Sequence, residues 1–181
     1  MNSRFSLIVA MDRARGIGRE GRMPWHLPGD MRMFADLTKG EHRLDPKKPQ
    51  NTVIMGRRTW ESLPKSFRPL PDRQNLVLSR QANYQAEGAE VVSDLDSALA
   101  KASGEAFIIG GGEIYALGLA HPSCHALLLT EVDGRYPCDA FFPEWEQEFA
   151  LEERGAWQQD ELDGPSYRFT SWLRVAKEQE A

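Results

Sequence analysis

The sequence predicts a single-domain α/β protein built on a mostly parallel sheet with an antiparallel C-terminal end. Three observations carry that reading. Short, nearly continuous apolar runs recur along the chain, as expected of strands buried on both faces. Helical segments alternate with them. The last run, Tyr167 to Val175 (YRFTSWLRV), alternates residue by residue, which is strand periodicity, and the Asp163-Gly164-Pro165 turn precedes it.

In order, Phe5 to Met11 (FSLIVAM) reads as a buried strand, and the glycine-rich stretch GIGREGRM follows it. A helix is expected from Pro28, with Pro in its first turn and Gly40 as its stop. GEHRLDPKKPQN is polar and Pro-containing, hence a surface loop. TVIM (Thr52 to Met55) is the next strand and Arg58 to Leu63 opens a helix. RPLPDRQ is turn-rich, NLVLS (Asn75 to Ser79) is a strand, and AEVV a short one. SDLDSALAKAS is a helix capped by Ser93 or Asp94. AFIIGGGEIYALGL repeats the strand–glycine–helix arrangement, and HALLLTEV is a further strand. No internal repeat, low-complexity tract or linker divides the 181 residues, so one domain is expected over residues 1–181, with its core from about 5 to 175.

A chain of this length buries about 70% of its unfolded surface. Its 41% hydrophobic and 27% charged residues are those of an ordinary globular protein. The net charge of −5 argues against nucleic acid as a partner. The start, MNSRFSLIVAMDR, lacks the longer apolar core and cleavage site of a secretory signal. Nothing approaches the roughly 18 apolar residues of a membrane span. Cys124 and Cys138 form neither a C-x-x-C pair nor a disulfide framework, so a cytoplasmic location is expected.

Three strand ends are suited to anions. VIMGRRTW leaves a strand through Gly56, sets Arg57 beside Arg58, and offers Thr59 near a helix start, where free N–H groups and the dipole favour phosphate. NLVLSR ends on the hydroxyl–guanidinium pair of Ser79 and Arg80. IIGGGEIY puts three glycines before a helix, which lets backbone approach a ligand closely. Singly, each also reads as a solvated arginine pair or a tight turn. GGGEIY fails the dinucleotide fingerprint, because Tyr115 stands where the third glycine belongs, and no Walker-type loop exists. What joins them is position: all three lie at C-terminal ends of expected strands, where open α/β sheets bind ligands. Several arginines suit a ligand with more phosphate than a pyrophosphate, such as a 2′-phosphorylated nucleotide.

The segment MPWHLPGDMRMF raises a separate question. At about 100° per residue, Phe34 lies about 40° from Asp30, Leu37 about 20° away on the other side, and Met33 about 60° away. Asp30 thus sits within an apolar stripe. One reading is an acid in a helix's first turn, favoured there by the dipole. The other is a buried carboxylate, which needs a multiply donating partner, since no Lys or Arg shares its face. An aminopyrimidine-like edge would satisfy both oxygens, and desolvation would raise the pKa.

At these residues the chain resembles dihydrofolate reductase of the bacterial chromosomal type, from about Phe5 to about Val175. The resemblance rests on the order and spacing of SLIVAMDRARGIG, MPWHLPGDMRMF, VIMGRRTWESL, RPLPDRQNLVLSR, IIGGGEIY and LLLTEVD. It implies an eight-stranded, mostly parallel mixed sheet with about four helices. The implied activity is NADPH-dependent reduction of 7,8-dihydrofolate to tetrahydrofolate, in support of one-carbon metabolism and thymidylate synthesis. Asp30 matches the carboxylate that holds the pterin, Thr130 its linked threonine, and Trp25 the tryptophan that holds an ordered water. Ile8, Met31, Phe34, Leu63, Arg68, Leu70 and Ile109 would line the substrate side, and Arg73 would pair with the glutamate α-carboxylate.

On the cofactor side, the resemblance puts Ala10 and Ile17 beside the nicotinamide. Gly56, Arg57, Arg58 and Thr59 would serve the phosphates, with Ser79 and Arg80 near the 2′-phosphate. Gly110, Gly111, Gly112, Glu113, Ile114 and Tyr115 would border cofactor and substrate. Gly16 to Met23, including Gly18, matches a mobile lid, its three glycines allowing hinge motion. Asp139 resembles the acid that holds the lid closed. Met23 and Tyr115 would join Asp30, Thr130 and Trp25 around the reacting atoms. The implied partners are dihydrofolate and antifolate inhibitors, with a monomeric enzyme and no metal, nucleic acid or membrane.

Departures from the family pattern are the long GEHRLDPKKPQN connection, Arg58, Glu113, and Met31 in the pocket wall. A riboflavin-pathway reductase would share fold and cofactor without needing MPWHLPGD. A nucleotide-binding protein without turnover would not need Asp30, Thr130, Trp25 and Arg73 together. His121, Cys124 and His125 offer three metal ligands without a fourth. His26 reads as a lid-side surface residue.

Overall fold

A computed structural model describes residues 4–176; the outermost ends of the expected 1–181 domain, residues 1–3 and 177–181, lie outside the described residues. Strand β1 (Phe5–Asp12) is followed by the short β2 (Gly16–Gly18) and helix α1 (Pro28–Lys39). Next come β3 (Thr52–Gly56), α2 (Arg57–Ser62), β4 (Gln74–Leu78), β5 (Glu90–Val92) and α3 (Leu95–Lys101). The chain continues through β6 (Ala106–Ile108), α4 (Gly112–Ala120), β7 (Cys124–Val132), β8 (Ala140–Phe141), β9 (Phe149–Arg154) and β10 (Tyr167–Arg174).

Eight strands form one sheet in the order β5-β4-β3-β6-β1-β7-β10-β9, parallel except where β10 runs against both neighbours. This is the mixed sheet that the sequence implies, and β2 pairs with β8 in a separate two-stranded ribbon. Alternate side chains of the parallel strands feed two apolar layers, as the period of two demands. Ile54, Leu76, Leu78 and Ile108 join the layer under α3 and α4, whereas Val53, Met55 and Val77 join Trp60 and Leu70 on the other face. Both faces are covered, which explains why these strands read as unbroken apolar runs.

Local signals account for most element ends. Pro28 occupies the first turn of α1, and Gly40 ends it at φ 55. The Asp94 side chain accepts the Ser97 N–H at 2.7 Å and caps α3. The 40–51 connection opens with a 3₁₀ turn (Gly40–Arg43), runs exposed, and closes on buried Asn51, whose Oδ1 accepts the Glu105 N–H at 2.9 Å.

Two features differ from expectation. Strand β9 carries no apolar signal because it is the sheet edge: only Phe149 is buried and the rest, ALEER, is exposed. In β10 burial does not follow the simple alternation. Thr170 is buried and Leu173 is exposed, and β9 carries an extra residue, Glu152, where its register against β10 shifts between Ser171 and Trp172. Trp172 packs on Trp145, their ring centres 5.7 Å apart, so the face opposite Tyr167 and Phe169 is covered too.

Helix α4 comes unusually close to the sheet at Gly118. A Cβ there would stand 2.7 Å from Ile108 Cδ1 and 3.1 Å from Leu7 Cδ1. Gly118→Val should therefore destabilise the protein by about 1–3 kcal/mol through overpacking, read from the midpoint of urea unfolding.

Candidate active site

Strands β1, β3, β4, β6 and β7 end along one edge of the sheet, and Ala10, Gly56, Ser79, Gly110 and Thr130 lie at or just beyond those ends, whereas Arg68, Leu70 and Arg73 precede the start of β4. Asp30 is in the first turn of α1, half-buried, and its Oδ1 accepts the Thr130 hydroxyl at 2.6 Å. Thr130 is buried on β7, directly opposite Ala10 of β1. Burial, above all, pushes the Asp30 carboxyl above its ordinary range; the Thr130 bond opposes this and the charge of Asp160 adds to it. Among the described residues the hydrogen-bond partner of Asp30 is a single hydroxyl, which leaves the second oxygen to accept from a ligand.

Around this pair, Ile8 and Ala10 are half-buried on β1, and Phe34, Leu63 and Ile109 pack on the layer of Val53, Met55 and Trp60. Met31 is 51% exposed, so it borders the open side of α1 rather than a closed wall. Tyr115 is buried and its hydroxyl donates to the Ile8 carbonyl at 2.8 Å. Burial first, and then the Asp30 charge, keep that phenol neutral. Trp25 packs with Leu27, Val132 and Tyr167, and its Nε1–H is buried with no acceptor among the described residues. A buried donor left without a partner costs free energy that one water would recover.

At the C-terminal end of α1, Arg73 is buried beneath Phe34, its guanidinium 5.8 Å from the ring centre. It donates to Thr38 Oγ1 at 2.8 Å and to the Pro71 carbonyl at 2.9 Å, and forms no ion pair among the described residues. Burial lowers its pKa while Asp72 opposes the shift. Asn75 staples this loop by bonding Leu70 and Arg73 backbone, and Lys39 ties it to α1 through Asp72 at 3.0 Å. Arg68 lies over Trp60, 5.8 Å from its ring centre.

The other half of the edge is made of backbone. Gly56 N–H donates to the Gly110 carbonyl at 2.8 Å, and a Cβ on Gly56 would stand 3.0 Å from Ile114 Cγ1. Gly110 has φ 127, and Thr59 Oγ1 would be 3.2 Å from a Cβ on Gly111. The first-turn N–H groups of α2 and α4 lack intrahelical acceptors, so the helix starts beside Gly56 and Gly110 offer donors to an anion. Arg57 pairs with Glu61 at 3.2 Å, Arg80 with Glu113 at 3.7 Å, and Arg58 is exposed. Ser79 is half-buried at the end of β4, its Oγ accepting the Gln81 N–H.

The glycine-rich stretch is more tightly held than a free hinge. Gly16 and Gly18 pair with Phe141 and Ala140, and Asp139 Oδ2 accepts the Glu20 N–H at 2.8 Å. A Cβ on Gly16 would stand 2.6 Å from Cys138 Sγ, so that glycine serves close packing. Only Gly21, at φ 76 beside Glu20 at φ 50, fits the expected conformational role, in a two-residue turn closed by Arg19 and Arg22. Ile17 packs on the main core, and Met23 is 53% exposed.

Three side chains were not singled out from the sequence. Buried Asp12 accepts the Ala14 and Gly16 N–H groups through one oxygen and the Tyr136 N–H through the other. Asp160 accepts the Gly29 N–H, and Asn75 staples the Arg73 loop as above. An acid closing a strand before a glycine-rich turn is a usable signal for Asp12; Asp160, in a polar run, has none. Among the described residues no group of His, Cys, Asp and Glu could hold a metal. His121 pairs with Asp96, His125 bonds the Phe5 carbonyl, and His26 is exposed as expected.

The sign of the Asp30 shift gives a stability test. A carboxyl raised above its ordinary 3.8 holds more protons folded than unfolded, so its ionisation costs stability as pH rises from that value through the folded pKa. Asp30→Asn should match the parent in thermal midpoint at the acid end of that window. It should exceed it at neutral pH, a difference that paired melting curves read directly.

A family model described as "Dihydrofolate reductase" matches residues 4–174. A dihydrofolate reductase of Neisseria meningitidis is 43% identical over 173 residues, covering 94% of this chain and 98% of that protein. One of Mycobacterium tuberculosis is 47% identical over 134 residues, 74% of each chain. A bifunctional dihydrofolate reductase-thymidylate synthase of Arabidopsis thaliana is 40% identical over 152 residues. This chain spans only 26% of that protein's length, and 34% of the corresponding protein of Oryza sativa. The structure of an Enterococcus faecalis dihydrofolate reductase complexed with NADP(H) and RAB-propyl superposes with a TM-score of 0.78 at 29% identity, covering 96% of this chain and 97% of that one. With its fold, its site geometry and its full-length likeness to these proteins, the chain belongs to the dihydrofolate reductase family.

Proposed function

We propose that this protein reduces 7,8-dihydrofolate to tetrahydrofolate with NADPH, the pterin on Asp30 and the cofactor along the glycine cradle. The observation that carries the reading is the Asp30–Thr130 pair, a half-buried acid with one oxygen committed and one free, beside a backbone anion site on the same sheet edge. The cradle suits the cofactor: a closely approachable Gly56–Gly110–Gly111 surface, Thr59, and the guanidinium groups of Arg57, Arg58 and Arg80 with Ser79. When bound, NADPH supplies the hydride that reduces pterin C6.

Asp30 accepts from the pterin's ring N–H and 2-amino group, which orients the ring and favours its protonated form. Thr130 holds the carboxylate's rotamer. Trp25 Nε1–H is the donor that fixes a water beside the site, a route for the proton that reaches N5, with Met23 at its margin. Tyr115 braces the Ile8 carbonyl and closes the apolar floor. Phe34, Leu63, Ile109, Met31, Arg68 and Leu70 flank the extended substrate, and Arg73 takes its α-carboxylate. Ala10 and Ile17 border the nicotinamide. The reading includes a monomeric, cytoplasmic enzyme that binds antifolates, and its two free cysteines suit a reducing compartment.

Dihydrofolate-dependent loss of NADPH absorbance is the direct assay, and its absence in the purified protein would overturn the proposal. Asp30→Asn should keep NADPH affinity and lose about 100-fold or more in kcat at neutral pH. Arg73→Leu should raise KM for dihydrofolate by about 10–100-fold with a smaller change in kcat, because a charge-assisted pair is lost. Arg80→Ala should weaken NADPH more than NADH, and equal losses in a two-cofactor titration would remove Arg80 from the 2′-phosphate.

A further inference from the structure

Helix α1 starts without a cap of its own. Its N-cap residue is Leu27, and the Gly29 N–H is met by Asp160 Oδ2 at 2.7 Å, from the connection between β9 and β10. The other oxygen of the same carboxylate accepts the Tyr167 hydroxyl at 2.8 Å, and Arg32 lies 4.0 Å away. Tyr167 is buried on β10, paired with Val132 of β7, two residues beyond Thr130. The fit requires glycine: a Cβ at position 29 would overlap the Tyr167 hydroxyl and stand 2.6 Å from Asp160 Oδ1. The Asp160 side chain is only 19% exposed, although the residue's backbone lies open to solvent.

We propose, resting on the role given to Asp30 above, that Asp160 is a positioning residue for the active-site carboxylate: it docks the first turn of α1 onto β10 and sets a second negative charge near the site. The docking part follows from connectivity. Gly29 immediately precedes Asp30, so fixing the Gly29 N–H fixes where the Asp30 side chain leaves the helix and its reach to Thr130. The electrostatic part follows from the charges present. The Gly29 N–H, then Tyr167, Arg32 and His26, hold Asp160 below the ordinary carboxyl range, so it is an anion where Asp30 titrates. It acts in the same direction as burial on Asp30, while Thr130 acts against it.

Among the described residues, the other groups that act on Asp30 or respond to its charge are uncharged hydroxyls. Thr130 approaches from β7, Tyr115 from α4 and Tyr167 from β10. Burial keeps both phenols neutral, with Tyr167 pushed up to about 12. Asp160, beside the Arg32 guanidinium, is the charge that the described residues add near Asp30.

The test is a carboxyl ¹³C NMR titration of protein labelled at aspartate, with the Asp30 signal assigned by its loss in Asp30→Asn. Steady-state kinetics accompany it. Asp160→Asn keeps an acceptor for Gly29 and removes the charge, so the Asp30 midpoint should fall while KM for dihydrofolate changes little. Asp160→Ala removes both, so the midpoint should fall and kcat/KM for dihydrofolate should drop about tenfold, as for loss of a helix cap, with KM for NADPH held. An Asp30 midpoint unchanged in Asp160→Asn overturns the proposal, and that variant serves even if the alanine protein fails to fold. A parent protein without dihydrofolate-dependent turnover, but with the midpoint shift, would overturn the proposed function and support the positioning role.

Discussion

The attachment of α1 is the constraint on which the rest of the site depends, and polar contacts make it. An amphipathic helix normally holds its place by burying an apolar stripe. Here Met31, Met33 and Leu37 are 51%, 37% and 36% exposed, and Thr38 is the helix's buried residue. The helix is instead pinned at Gly29 by Asp160, at Asp30 by Thr130, at Thr38 by Arg73 and at Lys39 by Asp72. Hydrogen bonds are directional, so these contacts set rotation and height to a degree that apolar packing cannot. A hydrogen bond contributes about 0.5–1.5 kcal/mol, so the bonds at Gly29, Asp30 and Thr38 together are enough to position one helix, with the exposed Lys39–Asp72 pair adding orientation.

The cofactor half of the edge follows different physics. Strands β3 and β6 are paired on both sides, so the turns that leave them inherit a rigid frame. Gly56, Gly110 and Gly111 are close to one another and to Thr59, and side chains there would fill the surface that the N–H groups need. The guanidinium groups are peripheral and already paired, Arg57 with Glu61 and Arg80 with Glu113. Exposed pairs of this kind contribute about 1 kcal/mol or less, so a phosphate bound as proposed would displace the carboxylates at small cost. In a chain of net charge −5, those acids also keep the local positive potential from attracting anions indiscriminately.

What the sequence revealed follows from which interactions leave a local mark. Buried parallel strands, the Pro28 start, the Asp94 cap and the strand–glycine–helix junctions are consequences of residues near in sequence, and each appears within a residue or two of its expected place. Strand β9 left no mark because an edge strand of ALEER has no apolar face to show. Asp30 was ambiguous on its helix alone, since dipole and burial both favour an acid there; Thr130, 100 residues away, resolves it. Asp160 was invisible for the same reason, as its partner Gly29 is 131 residues distant. The glycines after β1 were legible as a group, while the close approach of Gly16 to Cys138, 122 residues away, left no mark in the sequence.

That last point bears on how the stretch can move. Its root is fixed: Asp12 binds Ala14, Gly16 and Tyr136 backbone, the Phe142 N–H donates to the Arg15 carbonyl, and the Arg15 guanidinium donates to the Phe142 carbonyl. Ile17 is set in the main core, so the wall proposed to border the nicotinamide belongs to the static part of the molecule. The tip is different. Glu20 and Gly21 form an exposed turn, Met23 is in solvent, and one carboxylate, Asp139, connects Glu20 to the β8 side. Releasing that bond and the single Gly18 contact frees residues 19–24 without disturbing Asp12 or Ile17. An opening confined to the segment carrying Met23 would change water access to the proposed proton path while leaving Ile17, the proposed border of the nicotinamide, in place.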